Sequence, residues 1–248
     1  MVNELELIKC FKRSGSRLIK DFLFELQKAF QLRIVKYANH KLKYSKTGGF
    51  EHAFYWGEQR TKSYITAALD EVCDSNFIQE YFVERKILKS KKSSKIKNGR
   101  VDYLCQYGST SVIDILLEVK QNWIRYKENN ESTHYSGTTV LHHEAVKQLK
   151  SIHQKMDFRN KSLFGVAMTI LPIFTRYPTK DASIIRLSRK KINEIAQSAM
   201  KIAKANCYGY FLMPKQLLII DEWDYGKKTY ESYPGVIIIY TINKYSRK

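Results

Sequence analysis

Residues 99–121, GRVDYLCQYGSTSVIDILLEVKQ, read as two strands joined by a tight turn. Gly108, Ser109 and Thr110 are turn residues, and so short a link makes an antiparallel hairpin. On the second strand Asp114, Leu116, Glu118 and Lys120 alternate with Ile113, Ile115, Leu117 and Val119. Side chains of a strand alternate between its faces, so the first set shares one face and the second the other. On the first strand Arg100, Asp102, Leu104 and Gln106 alternate with Val101, Tyr103 and Cys105. A hairpin centred near Thr110 pairs residues whose numbers sum to about 220, which sets Asp102 opposite Glu118 with Cβ atoms roughly 4.5–5.5 Å apart.

The flanking sequence supplies the other elements of an α/β fold. Upstream, GEQRTKSYITAALDEVCD (57–74) places Ile65, Leu69 and Val72 on one helical face, and Phe77 to Leu88 has the aromatic and β-branched content of a strand. Downstream, Leu141, Ala145, Leu149, Ile152 and Met156 mark a helix, and LFGVAMTILPIF (163–174) is a strand expected to end at Pro172. The order helix, three strands, helix, strand predicts a central mixed sheet flanked by helices. A further helix is marked by Ile192, Ile195, Ala199 and Ile202, and YGYFLM, QLLII and VIIIYTI are strand-like; these are C-terminal additions to the core.

At the N-terminus Leu18, Phe22, Leu26, Phe30 and Ile34 recur every four positions along a long amphipathic helix, with a shorter helix expected at about residues 3 to 12. The Gly-Gly of KLKYSKTGGF suggests a boundary, with an N-terminal helical appendage over 1–48 and the main domain over 49–248.

Two carboxylates opposed across a sheet repel, and a divalent cation between them removes the penalty. Oxygen ligands of this kind suit Mg²⁺, with Mn²⁺ able to substitute. Lys120, two residues after Glu118 on the same face, could position or help deprotonate a metal-bound water, the combination that phosphodiester hydrolysis requires. The competing reading is a hairpin with one solvated face, common in antiparallel sheets. The tripeptide Glu118-Val119-Lys120 is weak by itself: chance gives about three [DE]xK matches at this composition, and the chain has a second in Glu84-Arg85-Lys86.

Asp102 followed by Glu118-Val119-Lys120 at the end of an apolar strand resembles the PD-(D/E)XK nuclease superfamily, over about residues 55 to 172. The resemblance implies a restriction-endonuclease-like αβββαβ core. It also implies that Asp102 and Glu118 bind metal, with the main-chain carbonyl of Val119 as an extra ligand, and that Lys120 acts on the attacking water. Many members place a glutamate in the first core helix, where Glu58 is the best match and Glu71 the reserve; an ordinary helix-start carboxylate is the alternative for Glu58. Some carry a glutamine in the helix after the tripeptide, for which Gln148 is the candidate. Val101 stands where the name-giving proline would be.

Charge points to a polyanionic partner. The 248 residues carry 43 Lys+Arg against 24 Asp+Glu, a net charge of +19. Residues 86–100 hold seven basic groups and no acidic one, whereas 51–85 are net acidic. Lys91, Lys92, Lys95, Lys97 and Arg100 are the candidate nucleic-acid-binding residues, because each phosphate neutralised releases counterions. Trp123, Tyr126 and the tyrosine-rich stretch from Tyr37 to Trp56 could stack on bases or pack in the core.

Cys10, Cys73, Cys105 and Cys207 form no CxxC pair and read as reduced thiols of a cytoplasmic protein. His142, His143 and His153 lack the HExxH spacing and read as surface residues. No signal peptide or membrane span is expected. The expectation is a Mg²⁺-dependent nuclease cutting DNA, with a homodimer and a place in defence, restriction or repair implied by the family. The alternatives are a non-catalytic nucleic-acid-binding protein with a degenerate nuclease core, or a nuclease directed at RNA.

Overall fold

In the computed structural model, residues 6–7, 17–44, 54, 57–90, 93–127, 135, 137–152, 162–224 and 228–245 are described. Strand β1 (Glu6–Leu7) and helix α1 (Arg17–Tyr44) precede helix α2 (Glu58–Val72). Three strands follow, β2 (Phe77–Ser90), β3 (Ser93–Tyr107) and β4 (Ile113–Gln121), then the short β5 (Ile124–Arg125). Helix α3 (Thr138–Lys150) leads to β6 (Leu163–Tyr177), helix α4 (Arg189–Ile202), β7 (Cys207–Leu212), β8 (Asp221–Asp224) and β9 (Lys228–Tyr245).

Among the described residues nine strands form one sheet, ordered β1-β7-β9-β6-β4-β3-β2, with β5 beside β6 and β8 beside β9. The sheet is mixed: β4 and β5 run parallel to β6, and the other pairings are antiparallel. Helix α3 makes the connection between β4 and β6 that a parallel pair requires.

Apolar periodicity decides what covers each face. Ile115, Leu117 and Val119 of β4 share a core with α1 and α2, through Phe22, Leu26, Phe30, Ile65 and Leu69. On the other face Leu116 and Ala167 pack with Ala145 and Leu149 of α3, while Leu171 and Ile237 pack with Ile192 and Ala199 of α4. Helices on both faces explain why β4 is buried almost throughout.

Several sequence expectations change in three dimensions. The long helix assigned to an appendage over 1–48 shares one core with α2 and the sheet, because its every-fourth-residue stripe lies against the β4 face. Within the short helix expected at 3–12, Glu6 and Leu7 instead pair with Tyr210 and Gly209 of β7; the rest of that segment lies outside the described residues.

The lysine-rich run is strand for most of its length, closing β2 at Ser90. Its residues from Ser93 onward belong to β3, which pairs with β2 up to Ser90↔Ser93. Proline does not end β6 either: Pro172 pairs with Val236 of β9 and lies where the parallel neighbour is interrupted between Gln121 and Ile124, so the missing donor is tolerated. QLLII forms no strand, since Lys215–Leu217 make a 3₁₀ turn after Pro214, with Leu217 and Leu218 buried.

Candidate active site

The β3–β4 register follows the predicted sum of 220 from Tyr107↔Ile113 to Tyr103↔Leu117. The next pair, Asp102 and Glu118, lies outside the ladder, because the strands part there. Asp102 fills the opening with its side chain: the Val119 amide donates to Asp102 Oδ2 at 2.7 Å. Opposite it on β2, Glu80 has φ 54° and the ladder skips the Glu80/Asp102 pair. Across this irregularity the alternation shifts, so that Tyr103 joins the α2 core whereas Val101 and Val83 join the α3 cluster.

Helix α2 carries a third carboxylate to this opening. Gly57 precedes it at φ 74°, a conformation that glycine adopts without a Cβ clash, and Glu58 is the first helical residue. The start of α2 is fastened to the end of β4: the Thr61 hydroxyl donates to Gln121 Oε1, and Gln121 Nε2 donates to the Phe54 carbonyl at 3.1 Å. At the next residue, Tyr103 OH donates to the Lys62 carbonyl at 3.0 Å. Burial pushes the Tyr103 phenol up to about 12, so it remains a donor at neutral pH.

The resulting cluster alternates in charge. Lys62 Nζ lies 2.8 Å from Glu58 Oε1 and 2.8 Å from Asp102 Oδ1. Lys120 Nζ lies 3.7 Å from the same Glu58 oxygen and 3.3 Å from Glu118 Oε1. Asp102 and Glu118 are buried, at 8% and 4% exposure, whereas Glu58 is only partly so. Burial disfavours the Lys62 charge, but hydrogen bonds and charge from Asp102 and Glu58 outweigh it and hold the ammonium above the ordinary lysine value.

Glu58, Asp102, Glu118 and Lys120 therefore converge, with the two acids of the hairpin outside the backbone ladder and linked through lysines and Glu58. Lys62 is the residue that the sequence reading missed. Its signal was present: it stands four residues after Glu58, the spacing at which helical side chains meet.

Gln148 is not brought to this end of the sheet. Its neighbour Leu149 accepts a hydrogen bond from Tyr245, the register partner of Leu163, whereas Lys120 is paired with Thr169, six residues further along β6. The α3 residue nearest that level is His142, whose Nδ1 is 2.9 Å from Thr169 Oγ1 and whose Nε2 is 2.8 Å from Thr241 Oγ1. Far from being a surface residue, His142 has 0% exposure, because α3 presses it between two strands. Glu71, the reserve to Glu58, bonds to Arg33 of α1 instead, and Asp114 accepts from Gln106, its cross-strand partner.

Of the basic candidates, Lys91 and Lys92 lie outside the described residues. Lys95 and Lys97 occupy β3 opposite Ile87 and Arg85. Arg100 is exposed, with its guanidinium 4.7 Å from the Phe82 ring centroid and 3.6 Å from Glu80. Trp123 packs edge-on to Phe174, and Tyr37 packs against Tyr64.

Among the described residues no three of His, Cys, Asp and Glu form a ready-made metal cage. Mg²⁺ needs less, commonly one or two carboxylates with water and substrate phosphate completing its shell. The Asp102 and Glu58 oxygens already share one cation, the Lys62 ammonium, so this hard-oxygen set fits a cation between α2 and β3. The chain matches no protein-family model, curated protein or solved structure in the three comparisons made.

Proposed function

We propose that the protein is a Mg²⁺-dependent nuclease that hydrolyses DNA phosphodiester bonds, with a restriction-endonuclease-like core of the PD-(D/E)XK type. The observation that carries this reading is the convergence of Glu58, Asp102, Glu118 and Lys120 from α2, β3 and β4 where the strands part. Core order supports it too, since α2, β2, β3, β4, α3 and β6 run in the αβββαβ sequence, with only the two-residue β5 between β4 and α3.

In this reading Asp102, Glu58, Glu118 and the Val119 carbonyl would hold the metal. When bound, Mg²⁺ supplies Lewis-acid stabilisation of charge on the phosphoryl oxygens and lowers the pKa of water. The chain's own groups do the positioning. The Val119 amide and the core packing of its side chain hold the Asp102 and Glu118 carboxylates at the strand opening. Lys120, with a side chain 15% exposed, presents a cation that orients the attacking water and offsets charge developing on the phosphate. The basic excess of the chain holds the nucleic-acid backbone.

The test is incubation of the protein with plasmid, linear and single-stranded DNA and with RNA, in Mg²⁺, Mn²⁺ or EDTA. Metal-dependent cleavage of DNA is expected, lowered at least about 100-fold by Lys120→Ala and by Asp102→Ala. Equal cleavage by these variants would refute the assigned site. Absence of cleavage with retained DNA binding would favour a binding protein with a silent core, and preference for RNA would redirect the substrate assignment.

A further inference from the structure

We propose that Lys62 is an internal counter-cation that a divalent metal must displace from Asp102 and Glu58, so that this lysine sets the metal affinity of the site. The inference rests on the reading of the cluster as a metal site. Lys62 Nζ is 2.8 Å from an oxygen of each carboxylate, closer than Lys120 comes to either of its own partners. Asp102 is fully engaged, with Oδ1 on Lys62 and Oδ2 on the Val119 amide. A metal taking the same two oxygens at the roughly 2.1 Å of Mg²⁺ would fall in the space that the ammonium fills. Two cations cannot share it.

Departure of the ammonium need not disturb the fold. The Lys62 backbone is anchored without it: the carbonyl accepts from Tyr103 OH at 3.0 Å and from Thr66 Oγ1 at 2.9 Å. The side chain is a flexible four-carbon stem, 20% exposed, so it can swing toward solvent while α2 stays in place. Without metal, Lys62 offsets the charge of a nearly buried Asp102, which unpaired would be strongly destabilising. With metal, the same ammonium is released beside the site, where a phosphate of the substrate is its natural partner.

The test is Mn²⁺ titration of the full chain without substrate, read by the electron paramagnetic resonance of free Mn²⁺, on wild type, Lys62→Met, Lys62→Arg and Asp102→Asn. Lys62→Met should bind Mn²⁺ at least tenfold more tightly than wild type, Lys62→Arg no more tightly, and Asp102→Asn more weakly. Thermal melting gives a second readout: Lys62→Met should melt below wild type in EDTA and gain more from Mn²⁺. If Lys62→Met does not fold, Lys62→Gln, whose amide can still donate to Asp102, carries the same comparison. Unchanged or weaker Mn²⁺ binding by Lys62→Met, or by Lys62→Gln in its place, with Asp102→Asn still impaired, would overturn the role of Lys62 and leave the metal site standing. No Mn²⁺ binding by either wild type or Lys62→Met would overturn both.

Discussion

His142 has no exposed surface, yet both ring nitrogens have hydroxyl partners in Thr169 and Thr241. A neutral imidazole donates from one nitrogen and accepts at the other, and a threonine hydroxyl can take either role, so the neutral ring is satisfied. Burial, with a smaller contribution from His143, lowers its pKa to about 4. The unfolded chain binds this proton near pH 6.5 and the folded chain only near 4. The stabilisation is therefore complete above pH 6.5 and is lost as the pH falls toward 4, by up to about 3 kcal/mol. Urea denaturation between pH 7.5 and 4.5 should show this loss in wild type and a clearly smaller one in His142→Asn. The sequence reading left this residue on the surface, although it stands three and seven residues before Ala145 and Leu149, the spacing of one helical face. For Glu58 and Lys62 the four-residue spacing is legible in the chain, but Asp102 as their common partner is not.

At the scale of elements, the hairpin register was legible because turn length and period-2 alternation leave little choice. What the pattern could not reveal is that the ladder opens one pair beyond Tyr103↔Leu117, and that the Asp102 side chain takes the Val119 amide. Beside that opening Asp102 also takes the ammonium of Lys62 from α2. Helix α1 offers a similar lesson. Its stripe was read correctly but given no partner, although Phe30 is fully buried with ring neighbours in Phe54 and Phe211 at 6.2 and 6.3 Å. Phe30→Ala should cost about 3–5 kcal/mol of stability, measured by chemical denaturation. A separable appendage would predict far less. Pro172 was over-read as a terminator, because the donor it removes falls where β6 has interrupted pairing beside it.

Across the whole molecule, β2 and β3 pair for much longer than β3 and β4 do. Beyond Asp102 the β2–β3 hairpin continues as a two-stranded ribbon carrying Lys95 and Lys97, next to the proposed catalytic centre. In the proposed function this ribbon would hold a duplex by its phosphates, and such contacts appear in the salt dependence of binding. Changing Lys95 and Lys97 together to Gln should weaken DNA binding about equally for all sequences. The slope of log affinity against log salt should fall by roughly 2. Measurement of affinity at several salt concentrations, with metal withheld to prevent cleavage, provides the check. An unchanged slope would move the backbone contacts elsewhere on the chain.

The basic composition, the hairpin, its acidic residues and the order of α2, β2, β3, β4, α3 and β6 were determined by the chain itself, since local periodicity and turn chemistry act over a few residues. Only the tertiary structure decided that α1 covers one face of the sheet, that α3 sets His142 against Thr169 and Thr241, and that α2 delivers Glu58 and Lys62 to Asp102. These are contacts between segments tens of residues apart, chosen by which faces bury together, and one sequence pattern is compatible with several such choices.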